Sequence, residues 1–336
     1  MGSVLAFLIA SQSFAQSGQV TVLKAARLYD GTGAAAVNDA VVVIRGELIE
    51  AVGQASQIVI PDGAKVTDLG DQTLMPGLFD THGHLRYRYA GGGEAAGRAA
   101  QAEAKEGWQG MTFVKNARTQ LLCGITSMRI TGEVRNLDFE IKKAIDSGMV
   151  PGPRIIPSGK LITSTGGHGA SSEGHIDGPW EAVRIVRDNF HHGARVIKIS
   201  MTDLSPEAAQ LQFEEVKAVV DVAHASGIPV TAHCTGNWGS AIRTAVNAGV
   251  DSIEHARPLT DDIIQLLKET GTALSLTPLV YIGFRPNAQW WDYPYYGVDD
   301  RSWDFRFRCH PYGNGFSGGN ESSSSQGGDH RGREAG

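Results

Sequence analysis

The sequence predicts an α/β protein, a (β/α)8 TIM-type barrel whose eighth strand is missing, preceded by a small N-terminal β-sandwich-like module. Three observations predict this. From Gln19 to Leu74, β-branched runs alternate with turn residues, and Arg45-Gly46-Glu47 between two such runs predicts a tight hairpin. After Leu85, short β-rich runs alternate with helical stretches, which is typical of βαβ units in a parallel sheet. After Pro278 the alternation ends, and no glycine-rich phosphate loop follows the first strand to favour a Rossmann-type sheet.

Shifts in composition predict four segments. Residues 1–18 resemble a signal peptide, 19–74 form the small β module, 75–290 form the barrel, and 291–336 form an irregular tail. From residue 301 to the end there is no Val, Ile, Leu or Met. Such a segment cannot bury enough apolar surface to order itself. It is either a disordered tail or coding sequence that has left its normal frame.

The first segment bears on location. An apolar stretch, Val4–Ala10, is followed by Ser13-Phe14-Ala15, which resembles a small-X-small cleavage site. The stretch is too short to span a bilayer, and no basic residues precede it. The sequence predicts an exported or periplasmic protein without stable membrane insertion, with a cytoplasmic location as the alternative.

Composition restricts the partners. The formal net charge is -6, the pI is about 6.0, and there is no run of Lys and Arg, which disfavours a nucleic-acid surface. The three cysteines are far apart, so neither a disulfide framework nor a zinc knuckle is predicted. The expected partner is a small-molecule or dipeptide-like substrate, and a homo-oligomer is left open.

Seven β-rich runs are predicted as parallel strands. The first, Leu78–Leu85, carries two histidines one residue apart, and the period of two in a strand points Asp80, His82 and His84 to one face. Two imidazoles at a strand end can bind one metal ion, although the triplet alone also arises by chance. The other six runs are Thr126–Ile130, Arg154–Pro157, Val196–Ser200, Pro229–His233, Ser252–His255 and Ala273–Leu276.

Three intervening helices show sequence punctuation. Ser205-Pro206 is predicted to start a helix that ends at Gly227, and Thr260 to cap one that ends at Gly271. The inward-facing residues of these two helices are predicted to be Val216, Val219, Val220 and Ala223 in the first, and Ile263, Ile264 and Leu267 in the second. A third apolar stripe, Val183, Val186 and Phe190, ends at Gly193.

Catalytic groups of such barrels lie at the carboxyl ends of the strands. The metal-capable residues at those positions are His82, His84, Lys198, His233 and His255. Lys198 lies within an apolar run, where an unpaired ammonium costs several kcal/mol. It must find a carboxylate, lose its proton or be modified, unless its stem crosses the rim and its head reaches water. A carbamate that bridges two metal ions would resolve the problem.

This combination resembles the amidohydrolase superfamily, and within it the imidazolonepropionase-like branch that contains Xaa-Pro dipeptidases. The resemblance covers roughly residues 20–278. It is carried by Met75-Pro76-Gly77-Leu78-Phe79-Asp80-Thr81-His82-Gly83-His84, Ser158-Gly159-Lys160, Thr165-Gly166-Gly167-His168-Gly169, Val196-Ile197-Lys198-Ile199, Ala223-His224, Ala232-His233 and Ala248-Gly249-Val250-Asp251-Ser252-Ile253-Glu254-His255.

The resemblance implies a metal-dependent hydrolase of amide or peptide C–N bonds, acting on a dipeptide-like or cyclic amide substrate. It implies two divalent ions, usually zinc, with a bridging hydroxide as nucleophile. One ion would bind His82 and His84, the other His233 and His255, and carboxylated Lys198 would bridge them. His168 resembles a substrate-contacting position, with a surface-loop histidine as the alternative.

Other polar residues leave alternatives open. Arg129 is predicted either to bind a carboxylate of the substrate or to form a structural ion pair. Glu254 is expected to point away from His255 and to take no ligand role, Cys234 to lie in the core, and His224 to be packed rather than catalytic. His191 and His192 lie at a predicted helix end, where positive charge is welcome.

One family residue is not found. The family places an aspartate at the end of the eighth strand as metal ligand and proton shuttle. None of the four aspartates after Pro278 that could take this role is embedded in an apolar strand: Asp299, Asp300, Asp304 and Asp329. The catalytic residue is therefore unknown. The rival hypotheses are an inactive truncated homologue that retains metal or ligand binding, and a periplasmic binding protein that uses the aromatic stretch Trp290–Tyr296.

Overall fold

The computed structural model describes residues 19–86, 105–169 and 173–277. All of them belong to one compact unit, Met1–Asp292. The predicted boundaries at residues 18, 74 and 290 stay predictions. The predicted signal-peptide-like segment, the aromatic stretch Trp290–Tyr296 and the tail lie outside the described residues. No helix within the described ranges is both long and apolar enough to cross a membrane.

The N-terminal residues form a five-stranded sheet in the order β3-β2-β1-β4, with β5 also paired to β1. Its strands are β1 (Val20–Leu28), β2 (Val37–Arg45), β3 (Leu48–Gln54), β4 (Lys65–Asp68) and β5 (Thr73–Leu74). β1, β2 and β3 are antiparallel, and the predicted hairpin at Arg45-Gly46-Glu47 is confirmed, with Gly46 at φ +60°.

Both faces of this sheet are covered. Val41 and Val43 pack into a cluster on one face, while Ala40 and Val42 pack into a second cluster on the other. Successive strand residues point to opposite faces, so alternate positions of one strand serve two small cores. A second sheet that would make this module a sandwich is not seen among residues 19–74, and that part stays a prediction.

The parallel strands follow in chain order, each of the seven close to its predicted position. They are β6 (Leu78–Gly83), β7 (Ile125–Ile130), β8 (Arg154–Ile156), the short pair β9 (Thr163–Ser164) and β10 (His175–Ile176), then β11 (Ile197–Thr202), β12 (Val230–Thr235), β13 (Ser252–Glu254) and β14 (Ala273–Ser275). The helices are α1 (Glu106–Leu122), α2 (Leu137–Asp146), α3 (Pro179–His192), α4 (Phe213–Ala225), α5 (Ser240–Ala248) and α6 (Asp261–Thr270).

The seven main strands pair in sequence order as β6-β7-β8 and β11-β12-β13-β14, all parallel. Ile162, which follows β8 in the chain, pairs with β11 through a parallel bridge to Ile199. Its amide donates to the Lys198 carbonyl at 2.9 Å, and its carbonyl accepts the Ser200 amide at 2.8 Å. This order is that of a TIM-type barrel.

Closure of the barrel is not observed among the described residues. Side-chain oxygens of Thr81 on β6 and Ser275 on β14 lie 3.1 Å apart, but no backbone ladder joins these strands in the described part of the chain. The predicted absence of an eighth strand concerns residues after Thr277 and stays a prediction, since they lie outside the described ranges.

Helices α3 to α6 cover one side of the larger sheet and enclose the main core with Ile197, Ile199 and Ile253. The predicted stripe of α4 is buried, as expected from its spacing of three and four residues. Thr260 and Gly271 bound α6 as predicted, with Gly271 at φ +70°.

Two helix predictions were wrong in detail. α4 begins at Phe213, because the Ser205 hydroxyl accepts the amides of Glu207 and Ala208 and forms a turn instead. Phe190 is 46% exposed. The buried position next to it is taken by Asn189, whose side-chain amide makes two hydrogen bonds to the Lys160 backbone.

Candidate active site

The ends of the parallel strands bring five histidines together. Ring centroids lie 5.3 Å apart for His82 and His84, 4.7 Å for His82 and His255, and 4.5 Å for His233 and His255. His168 stacks on His233 at 4.4 Å. The five residues thus form one continuous group, although up to 173 positions separate them in sequence.

Lys198 is buried and close enough to His82, His233 and His255 to shift their pKa values. It is the second residue of β11, so the prediction that it lies at the carboxyl end of its strand was wrong. Its side chain is on β11, it is 2% exposed, and its Nζ has no hydrogen-bond partner among the described residues. Burial lowers the pKa of the Lys198 amine to about 8, despite the opposing attraction of Glu254. The alternative of a head group that reaches water is therefore excluded in this structure, while an unprotonated or modified amine remains chemically accessible.

The surroundings favour the neutral form of three of these imidazoles, those of His82, His233 and His255. Burial, followed by the nearby charge of Lys198, lowers the pKa of His82 to about 4 and that of His255 to about 2. The same two causes hold the pKa of His233 well below its usual range. A neutral imidazole has a lone pair on one ring nitrogen, which is the form that binds a metal ion.

Glu254 is the site residue that sequence reasoning missed. It is fully buried, its Oε2 lies 2.7 Å from His82 Nδ1, and its Oε1 accepts hydrogen bonds from Arg129 and Thr231. Burial acts to raise the pKa of Glu254, but His82, Lys198 and Arg129 together hold it well below its usual range. His255 also lies beside His82, with its ring centroid 4.7 Å from that of His82. The expected orientation of Glu254 away from His255 stays a prediction, and the Glu254–His82 contact joins β13 to β6, which are not neighbours in one sheet.

Arg129 makes the ion pair that the sequence left open. Its Nη2 lies 2.5 Å from Glu254 Oε1, and its Nε donates to the Thr81 carbonyl at 2.6 Å. The guanidinium is therefore engaged by protein groups. A role for Arg129 in binding substrate stays a prediction.

A second buried acid, Glu133, stands behind His84. Glu133 Oε1 accepts the Leu85 amide at 3.2 Å and lies 3.8 Å from His84 Nδ1. Arg86 approaches its other oxygen at 3.7 Å. Nothing in the local sequence marked this residue, because Glu133 lies in a loop 49 positions from His84.

The loop that carries His168 is held by close backbone packing. A Cβ at Gly167 would lie 1.5 Å from Gln210 Nε2, which itself donates to Thr163 Oγ1 at 2.6 Å. Only glycine fits there without displacing Gln210. His168 is exposed on one side and stacked on His233 on the other, so it lies beside the histidine group rather than on a remote surface loop.

His255 occupies an unusual backbone conformation. Its φ is +72° and that of Ala256 is +50°, in the left-handed region that non-glycine residues rarely adopt. Its Nδ1 contacts the hydroxyl of Thr277. Strained backbone of this kind concentrates at functional sites.

The donor set fits divalent metal ions chemically. Neutral imidazoles and an unpartnered buried amine are suitable ligands or ligand precursors, and the buried carboxylate behind His82 is the usual outer partner of a metal-binding histidine. Across residues 19–86, 105–169 and 173–277, however, no three His, Cys, Asp or Glu side chains are positioned as a ready cluster for a single ion. The site residues therefore suit divalent metal ions in the type of their donor atoms and in their closeness to one another.

The remaining sequence predictions fall outside this group. Cys234 is buried in the core as predicted, and His191 and His192 lie in the last turn of α3. His224 is not packed, since it is 42% exposed and pairs with Asp251 at 2.8 Å. At the half-exposed end of α4, the His224–Asp251 pair remains in contact with solvent. Asp299, Asp300, Asp304 and Asp329 lie outside the described residues.

Comparison with known proteins agrees with this arrangement. Residues 73–286 match the model of the amidohydrolase family. The chain is 29% identical to an ochratoxinase of Aspergillus niger over 293 residues, covering 75% of this chain and 58% of that protein. It is 24% identical over 260 residues to an imidazolonepropionase of Cutibacterium acnes, covering 72% and 62%.

Solved structures give the same result. A Xaa-Pro dipeptidase with methionine bound in its active site is 30% identical, with a TM-score of 0.68, over 76% of this chain and 66% of that one. A prolidase complexed with N-methylphosphonate-L-proline is 29% identical, with a TM-score of 0.67, over 77% and 66%. The chain therefore spans less than two thirds of the length of these relatives. The family match covers well over half of the sequence, and the chain belongs to the amidohydrolase family.

Proposed function

We propose that the chain is a metal-dependent hydrolase of amide or peptide C–N bonds that acts on a dipeptide-like or cyclic amide substrate. Two observations carry this proposal. His82, His84, His233 and His255 form one group, and the buried Lys198 amine, which lowers the pKa of His82, His233 and His255, has no hydrogen-bond partner among the described residues. A buried unpaired amine costs several kcal/mol and is retained where it has a chemical use.

In this proposal His82 and His84 hold one divalent ion and His233 and His255 hold a second. Zinc is the expected metal, since imidazole and carboxylate-type oxygen ligands suit it, although they also accept manganese, cobalt or iron. When bound, two such ions would lower the pKa of water and polarise the scissile carbonyl.

Lys198 would bridge the ions as a carbamate. The neutral amine attacks carbon dioxide, a C–N bond forms, and the nitrogen loses a proton to solvent, which leaves a carboxylate at the end of the side chain. The pKa of about 8 supports this, because a substantial neutral fraction exists near pH 8. The added negative charge would also neutralise the nearby cations.

The substrate class is proposed from position and from the neighbours. His168, stacked on His233, is proposed to contact substrate. Arg129 is the second proposed contact, although its guanidinium is already paired with Glu254. A dipeptide with a C-terminal proline is the first substrate to test, because the neighbours include a Xaa-Pro dipeptidase and a prolidase.

The test is hydrolysis of a panel of Xaa-Pro dipeptides, other dipeptides and cyclic amides by the zinc-loaded chain. His233→Ala removes a proposed ligand, and His224→Ala removes a histidine that pairs with Asp251 outside the site. Turnover by the wild type and by H224A, with loss of at least 100-fold in H233A and on chelation, supports the proposal.

Other results favour the other hypotheses. Two bound ions per chain with no turnover above H233A would indicate an inactive homologue that only binds metal. Ligand affinity that survives chelation would indicate a binding protein. Absence of both metal binding and turnover would overturn the proposal.

We also propose that the protein is exported through its first 18 residues. Expression with a C-terminal tag, cell fractionation and N-terminal sequencing would test this. A tagged protein in the cytosolic fraction with an intact N-terminus would contradict it.

A further inference from the structure

Glu254 is a buried carboxylate that the proposed set of metal ligands does not include. It is fully buried on β13, and its neighbours come from three other strands: His82 on β6, Arg129 on β7 and Thr231 on β12. Buried carboxylates are rare unless paired. The hydrogen bonds that each carboxylate oxygen of Glu254 accepts therefore indicate the role of this residue.

The two oxygens of Glu254 have different partners. Oε1 accepts from Arg129 Nη2 at 2.5 Å and from the Thr231 hydroxyl. Arg129 is always charged, so a carboxylate in this contact is ionised and can only accept hydrogen bonds. Oε2 is thereby left to His82 Nδ1, 2.7 Å away.

This geometry determines where the proton of His82 lies. A neutral imidazole carries its proton on one nitrogen, and the other nitrogen is an acceptor. Since Oε2 cannot donate, Nδ1 must carry the proton, and the lone pair is then on Nε2.

We infer that Glu254, anchored by Arg129 and Thr231, is a positioning residue that fixes His82 as the Nδ1–H tautomer and so keeps Nε2 available as a metal ligand. The metal part of this inference rests on the proposed function. Outer-shell carboxylates of this kind change metal affinity by 10–100-fold when they are removed.

Glu254→Gln tests the inference sharply. Arg129 and Thr231 both donate to Oε1, so the glutamine should turn its carbonyl oxygen to them and its NH2 to His82. Nδ1 must then accept, and the proton moves to Nε2. The side chain keeps its size, but the metal-binding lone pair is lost.

The primary measurement is the ¹⁵N chemical shifts of the histidine ring nitrogens in the metal-free chain, with His82→Gln used for assignment. The wild type is expected to show His82 as Nδ1–H and E254Q as Nε2–H. A wild type with Nε2–H, or an unchanged tautomer in E254Q, overturns the inference. If E254Q does not fold, the tautomer of His82 in the wild type tests the inference by itself: Nδ1–H supports it and Nε2–H overturns it.

The second measurement is zinc affinity by competition with a chromophoric chelator. E254Q is expected to weaken zinc binding by 10–100-fold. Asp251→Asn is the matched control, because Asp251 makes a similar contact of 2.8 Å to His224 outside the site, and it should change nothing. Equal zinc affinity in E254Q and wild type overturns the inference, whereas an Nδ1–H wild type that binds no zinc leaves it standing and overturns the proposed function.

Discussion

At the scale of single residues, Lys198 is the clearest example of an ionisable side chain in a place where its charged form is unfavourable. It is 2% exposed and its amine has no hydrogen-bond partner in the part of the chain that is described. Such a group destabilises the fold unless something binds it. Proteins tolerate this at sites where stability is given up for activity.

Lys198→Met should therefore stabilise the metal-free chain by about 1–3 kcal/mol, because an unbranched apolar side chain of similar length removes the desolvation cost. Its zinc capacity should fall below two ions per chain. Urea unfolding in chelator and metal analysis measure both effects.

The matched control is Lys217→Met, which changes a lysine 45% exposed on α4 in an i,i+4 pair with Asp221. Its stability should stay within about 0.5 kcal/mol of wild type. A destabilised K198M with full zinc capacity would contradict the role given to Lys198.

Asp138 provides a pH-dependent prediction away from the histidines. Burial raises the pKa of its carboxyl to about 6, against the opposing hydrogen bonds from the Gly159 and Ser158 amides. The folded chain therefore binds this proton more tightly than the unfolded chain. The stabilising contribution is complete below about pH 4 and is lost as the pH rises through about 6.

Asp138→Asn removes this titration and retains an oxygen acceptor for the two amides. The free energy of unfolding of wild type minus that of D138N should decrease by up to about 3 kcal/mol between pH 4 and pH 6.5. Urea unfolding at four pH values measures it. A difference that stays constant with pH would show that folding does not shift the pKa of Asp138, and one that increases with pH would show that folding lowers it. Either result contradicts the prediction.

At the scale of elements, the site depends on where chain segments approach one another closely. After β8 the chain continues to Ile162, which bridges to Ile199 on β11. Gly174, just before β10, lies directly against this segment, and a Cβ there would lie 2.1 Å from the Leu161 carbonyl oxygen. Backbone atoms cannot move aside as a flexible side chain can.

Gly174→Ala should consequently destabilise the fold by about 1–3 kcal/mol through overpacking. Gly110→Ala is the matched control, since this glycine lies within helix α1 with nothing within 4 Å of its Cβ position. It should stabilise by up to about 1 kcal/mol because alanine is the better helix former. Thermal unfolding of both variants measures the pair. Two changes of the same sign would contradict the packing explanation.

The loop after β11 shows a second such contact. The Asp203 carboxylate accepts the amides of Trp238, Gly239 and Ala241 at the start of α5. An acid on one strand end thereby caps a helix that follows the next strand. This cap ties the carboxyl end of β11 to the start of the helix that follows β12, the strand that carries His233.

At the scale of the whole molecule, metal binding and folding should be coupled. The proposed ligands on β6, on β12 and directly after β13 come together only in the folded chain, so an ion held there would stabilise the fold by mass action. Zinc at 100 times its Kd should add about 2.7 kcal/mol, seen as a rise in Tm that chelator removes.

H233A and H255A should each show a smaller rise in Tm than wild type, while H224A should keep the full rise. The comparison is made by thermal unfolding with and without zinc. An equal rise in all variants would place the stabilising ions elsewhere on the protein.

Much of this was predictable from sequence because the signals are local. Strand runs, the hairpin at Gly46 and the caps of α6 depend on residues within one or two turns of each other. The predicted start of α4 was wrong because the Ser205 hydroxyl accepts nearby amides in a turn. A serine can form either such a turn or a helix cap, and residue type alone does not decide between them. The prediction that Phe190 faces inward was wrong, because the buried face of the helix is shifted by one residue and includes Asn189 instead.

The sequence by itself determined the strand and helix alternation, the metal-capable residues and the family, since these follow from periodicity and spaced motifs. Only the tertiary structure decided that Glu254 faces His82, that Arg129 is ion-paired and that Glu133 stands behind His84. These contacts join residues 48 to 172 positions apart. The physical reason is that alternation tells which face of a strand a side chain takes, whereas its partner depends on how neighbouring strands pack and turn.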